Sequence, residues 1–251
     1  MRPVQCGLWP TWPDCYCGCA VPTSAVLREL HWRSGCVTRR IDTMDDVADG
    51  LTALSAIDPR LRSVIAGAGD VPLRRTAPGF ASLASIIVSQ QVSRTSADAI
   101  FGRLVKLVDP LEAANVIAGG NAPLVEAGLS RPKQVTLLAA AEAVEIGALD
   151  LYGLCEMAPH AALGKLTAVH GIGEWTAEVY LLFAAGHADI FPAKDLALQV
   201  AASDLLGRPD RLDDRALRAL SESWAPWRGV AARLLWAHYR MMKGREAAPV
   251  A

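Results

Sequence analysis

Apolar residues recur along most of the chain at helical spacing. Leu163, Leu166 and Val169 fall on one face of a helix, and Ala177, Tyr180, Leu181 and Ala184 on one face of another; Gly171-Ile-Gly173 lies between them. Residues three and four apart share a helix face, so the stretch predicts helix, tight turn, helix. The same period runs from Val47 onward. It predicts a helix over about 46–56, a second after Pro59, and a loop from Val71 to Pro78. A buried helix then passes through Phe80, Leu83, Ile86, Ile87 and Gln90, and an amphipathic one through Ala97, Ile100, Leu104 and Leu107 that Pro110 closes. Pro132 opens a helix that continues through Val135 and Leu138, Asp213 caps another, and Val230, Leu234, Leu235 and Tyr239 mark the last. No stretch alternates for long enough to make a strand. The predicted fold class is all-α.

Residues 1–43 break the pattern. Five cysteines (Cys6, Cys15, Cys17, Cys19, Cys36), Trp9, Trp12 and several prolines show no sustained period, which predicts a poorly structured extension. The Cys-x-Cys-x-Cys spacing lacks the Cys-x-x-Cys pairs of a zinc knuckle, so no metal site is expected. Met44 and the acidic start after it mark a candidate natural beginning of the folded part, residues 44–251. No apolar run has the length of a signal peptide core or a membrane span, and the expected setting is the cytoplasm. A net charge of -1 supplies no bulk attraction to nucleic acid. Such a partner would need backbone amides or a local patch drawn from Arg94, Arg103, Lys106, Arg131, Lys133, Lys165, Lys194 and Arg228; solvated helix faces are the ordinary alternative.

The Gly-Ile-Gly turn has a chemical use. Glycines admit positive φ and close approach of an anion to the backbone, and the helix that follows presents free N–H groups and the positive end of its dipole. By itself the tripeptide reads first as a plain helix–helix turn. Asp195 has two readings too: a helix N-cap, or a buried carboxylate placed to stabilise a cation.

The longer string is more specific. His170-Gly-Ile-Gly-Glu-Trp-Thr-Ala177, the Phe191-Pro192 loop and an aspartate twenty residues after Trp175 resemble the signature of the helix-hairpin-helix DNA glycosylase superfamily, most closely its 3-methyladenine DNA glycosylase II type. The resemblance spans roughly Asp45 to Lys243. It implies a two-lobed helical fold with the active-site cleft between the lobes and the hairpin at about 159–185. The expected role is excision of alkylated bases from double-stranded DNA by a cytoplasmic monomer, nucleoid-associated if the source is prokaryotic, with no cofactor and no metal ligand assigned; a monovalent cation on the hairpin carbonyls is left open.

Asp195 takes the catalytic position by that resemblance, and Trp175 and Trp227 line the base pocket. Gln90, Gln91, Gly171, Ile172, Gly173, Thr176, Lys194 and Arg228 contact DNA, with Gln91 filling the gap left by the extruded base. Superfamily members that also cut the strand carry a Schiff-base lysine where this chain has Trp175, so a monofunctional enzyme is implied. Two positions depart from the type, since Val179 and Leu196 stand where close relatives often place aromatics. A DNA-binding module without chemistry, or a lyase using Lys194, are the competing readings. Helix capping by the glutamines and core packing by the tryptophans compete residue by residue.

Overall fold

A computed structural model describes residues 39–244, and among them twelve α-helices account for nearly all regular structure. In chain order they are α1 Met44–Ile57, α2 Leu61–Gly67, α3 Phe80–Ser89, α4 Arg94–Leu107, α5 Ala113–Gly119, α6 Asn121–Ala127, α7 Arg131–Glu145, α8 Pro159–Thr167, α9 Glu174–Tyr180, α10 Leu196–Leu205, α11 Asp214–Glu222 and α12 Arg228–Lys243. The expected all-α class is what the described residues adopt. Helix starts follow the sequence signals: Thr43 and Asp46 form a reciprocal capping box on α1, Ser93 caps α4 and Asp213 caps α11.

The helices pack in two groups. α1, α2, α10, α11 and α12 contact one another, while α3 to α7 form the other group, against which α9 packs through α3. In the first group α1 and α12 approach closely because Gly50 has no side chain; a Cβ there would come within 2.6 Å of Val230 and 2.8 Å of the Trp227 ring. The buried apolar residues of both groups form one continuous core, and Trp224 and Trp236 are among its largest fully buried side chains.

Two features escaped the periodicity. Residues 39–43 belong to the folded unit rather than to the extension: Ile41 is fully buried, its N–H donates to Gly186 O at 2.8 Å, and Arg40 bridges His187. So short a backbone pairing carries no period to read. The apolar run after α9 is also not one continuous α-helix, because Leu181–Ala185 widens into a π-turn ending at Gly186 in the left-handed region. Arginines from elsewhere cover its carbonyls: Arg75 donates to Phe183 O and Ala184 O, and the buried Arg233 to Leu182 O at 3.0 Å. Burial among these groups lowers the Arg233 pKa to about 9. The π-turn redirects the chain into the loop that delivers Asp195. The cysteines and tryptophans of residues 1–38 lie outside the described residues.

Candidate active site

Asp195 is the N-cap of α10, and its Oδ1 accepts from Ala197 N at 2.9 Å and Leu198 N at 3.2 Å. The capping reading therefore holds, and it accounts for only part of the site. Trp236 on α12 donates its indole Nε1–H to the same oxygen at 3.2 Å, and Trp175 on α9 donates to Oδ2 at 3.1 Å. The two helix groups thus meet on one carboxylate. Burial pushes the Asp195 carboxyl above the ordinary aspartate value, against the pull of its four N–H donors. All four are donors without a lone pair for a carboxyl proton, so the geometry serves the charged form. No basic side chain lies within ion-pair distance of Asp195 among the described residues. Three donors occupy Oδ1 and one occupies Oδ2, so Oδ2 keeps a lone pair for an incoming group.

A chain of charges fixes this corner to the hairpin. Lys194 Nζ pairs with Glu174 at 2.8 Å, Arg218 Nη2 with the other Glu174 oxygen at 2.8 Å, and Arg218 Nη1 with Glu178 at 3.1 Å. Glu178 is buried, its Oε2 has no hydrogen-bond partner, and burial raises its pKa to about 7. Nothing in the sequence singles it out, since its partner lies forty residues away on another helix.

The hairpin turn is tight at one glycine only. Gly171 has φ +82°, and a Cβ there would run into the Thr136 side chain on α7. Gly173 is extended at φ -84°, with open space where a Cβ would go. Gly173 therefore does not serve to relieve crowding; it is the N-cap of α9, without side-chain capping, ahead of the first intrahelical bond from Ala177 N to Gly173 O. On the neighbouring loop, Gln90 caps the end of α3 and donates to Thr176 Oγ1 at 2.6 Å, while Gln91 is exposed with φ +55°.

No protein-family model matches the chain. A DNA-3-methyladenine glycosidase of Bacillus halodurans of known structure is 32% identical, with a TM-score of 0.69, over 84% of this chain and 95% of that one. The chain belongs to the 3-methyladenine DNA glycosylase family. A probable bifunctional transcriptional activator/DNA repair enzyme AlkA of Mycobacterium tuberculosis is 31% identical over 79% of this chain, which spans only 41% of that protein's length. The Schizosaccharomyces pombe 3-methyladenine DNA glycosylase Mag1, solved with abasic DNA, shares the fold at a TM-score of 0.69 and 24% identity, over 76% of this chain and 95% of that one.

Within this glycosylase fold the residues expected at the site separate. Asp195 and Trp175 come together. Trp227 does not join them: it is buried at the start of α12, with Gly50 against its edge and the Arg39 guanidinium 4.3 Å from its ring centroid. Trp236, nine positions later, supplies the contact to Asp195 instead. Arg228 is not free for phosphate, because Asp189 holds it through two bonds of 2.6 and 2.8 Å. Lys194 is paired with Glu174. Thr176 and Ile172 are buried, and the Ile172 N–H donates to Val169 O, so neither offers a side chain to DNA. Much of the expected basic patch is likewise occupied by protein partners: Arg103 donates to Ala127 O at 2.9 Å and Lys133 to Val88 O at 2.8 Å. Among the described residues, no three His, Cys, Asp or Glu side chains group as a metal site would require. No described helix is long and apolar enough to cross a membrane.

Proposed function

We propose that this chain is a monofunctional DNA glycosylase that excises alkylated bases from double-stranded DNA and leaves an abasic site, acting as a monomer wherever the cell keeps its DNA. The observation that carries the proposal is the setting of Asp195: a buried carboxylate held by four neutral N–H donors, with a lone pair left on Oδ2 and an indole beside it. Rupture of the N-glycosidic bond sends the bonding electrons out with the base and leaves oxocarbenium character at C1′. A fixed negative charge stabilises that cation, and water adding to C1′ loses its proton toward the carboxylate or solvent. An N-alkylated purine already carries positive charge, so it departs neutral and needs no general acid. Trp175, partly exposed and fastened to Oδ2, offers a π face to such a cationic base. The glycines and first N–H groups of the hairpin serve the flanking phosphate, and Gln91 fills the vacated stack.

The lyase alternative needs a neutral amine at the site. Lys194 is the nearest candidate by sequence, but its hydrogen bond to Glu174 raises its pKa, so it is held as ammonium. The test is incubation with a duplex containing 3-methyladenine. Free base is expected, with a strand that breaks only after alkali, and borohydride should trap no covalent adduct. Strand scission without alkali together with a trapped adduct would overturn the monofunctional reading. Absence of base release under any condition would overturn the glycosylase itself.

A further inference from the structure

The loop between α3 and α4 contains a residue in an unfavourable backbone state. Gln91 is exposed and has φ +55°, a left-handed conformation that only glycine adopts without strain. Such a residue persists only when its surroundings over-determine it. They do so immediately before it. Lys133, on α7, donates to Val88 O at 2.8 Å, and its partial burial lowers its pKa. Ser89 Oγ returns to Ile86 O at 2.8 Å, closing the last turn of α3. Gln90 leaves the helix at φ -58°, ψ 128°, and its side chain reaches to Thr176 Oγ1 at 2.6 Å. Thr176 is 2% exposed and follows Trp175, whose indole holds Asp195. The hydroxyl therefore ties the loop to the helix that carries the pocket wall.

We propose that Thr176 is a positioning residue: by accepting from Gln90 it holds Gln91 in its strained, projecting conformation, anchoring the gap-filling loop to the helix that also carries Trp175. The inference rests on the glycosylase reading and extends it to a residue that touches neither base nor phosphate. Removing the acceptor frees Gln90 to rotate, and Gln91 then relaxes toward an ordinary conformation that no longer points into the duplex.

The test is a set of variants on a duplex carrying an abasic-site analogue opposite 2-aminopurine, whose fluorescence reports whether a side chain stacks in the gap. Thr176→Val keeps the shape and loses the acceptor; Thr176→Ser restores a hydroxyl. Thr176→Val is expected to abolish the wild-type fluorescence change, with Thr176→Ser recovering it. On a 3-methyladenine substrate, Thr176→Val should lower excision from duplex about tenfold more than from single strands, as expected when one buried hydrogen bond is lost. The double variant Thr176→Val/Gln91→Ala should be no worse than Gln91→Ala alone, because both act through one side chain. Normal fluorescence in Thr176→Val, equal losses on both substrates, or additive losses in the double variant would overturn the proposal. A wild-type protein that changes the fluorescence but releases no base would defeat the glycosylase reading while leaving the positioning role standing.

Discussion

Asp58 and Asp195 are both buried aspartates that accept an indole N–H, and their surroundings differ in one respect that decides what each does. Asp58, at the end of α1, accepts from Trp224 Nε1 at 3.0 Å, but Arg60 also grips it, with Nε at 2.8 Å and Nη2 at 2.7 Å. That guanidinium pulls the Asp58 pKa down to about 2. Asp195 accepts only from indoles and backbone amides, and burial drives its pKa up. A paired carboxylate has spent its field on its partner and holds structure together. An unpaired one, with its charge held only by neutral dipoles, keeps that field available to a cation, which is the role proposed for Asp195.

Matched substitutions at the two indoles test this difference with the largest expected effect. Trp175→Phe removes the sole donor on Oδ2 and should cut excision on the order of 10- to 100-fold. Trp224→Phe, the same change at Asp58, should leave excision within about twofold and cost roughly 1–2 kcal/mol of stability. Equal excision losses in the two variants would erase the distinction. Urea unfolding and single-turnover assays on both proteins supply the numbers.

A smaller effect is expected at Asp58 itself. Its folded pKa lies below the unfolded value of 3.8, so its stabilisation is present above that pH and fades as pH falls toward about 2. Asp58→Asn should lose roughly 1–2 kcal/mol at neutral pH, a figure kept low because Arg60 is half exposed, and should flatten the acid limb of the stability curve. An unchanged acid limb would mean that the pair contributes nothing.

Glu178 sharpens the contrast from a third side. It has a cation, Arg218, yet burial dominates and its pKa rises to about 7. The linkage sign is therefore reversed: its contribution is complete below the unfolded value near 4.5 and is lost as pH climbs through about 7. The wild-type thermal midpoint should decline across that window, and Glu178→Gln should remove a few degrees of the decline. A decline of the same size in the variant would show that Glu178 does not titrate there.

These contrasts also mark what the sequence could tell. Asp195 as a helix cap was legible from its neighbours alone, as was Asp213, while its meeting with Trp175 was expected only from the resemblance of the hairpin-plus-aspartate string to a known family. Trp227 and Trp236 were not separable: both sit on or beside the last helix, and only the approach of α12 to α10 decides which indole reaches Asp195, 41 residues away in sequence from Trp236. Arg228 and Lys194 look like phosphate ligands until Asp189 and Glu174 are placed beside them. Gly171 and Gly173 look equivalent until Thr136 of α7 presses on one of them. The missed features are consistently those fixed by contacts between helices distant in the chain.

The most direct test of the central claim replaces the charge and keeps the cap. Asp195→Asn retains an oxygen for the α10 amides and removes the field at C1′. Single-turnover excision of 3-methyladenine, affinity for an abasic-analogue duplex and thermal midpoint should be measured on one preparation, beside Asp58→Asn. Excision should fall a hundredfold or more, about 3 kcal/mol at the transition state. Affinity should stay near wild type and the midpoint should shift by only a few degrees, since the buried charge that is lost was itself unfavourable to bury. A folded Asp195→Asn protein that excises at near the wild-type rate would contradict the assignment of Asp195 as the group that stabilises the departing base's sugar.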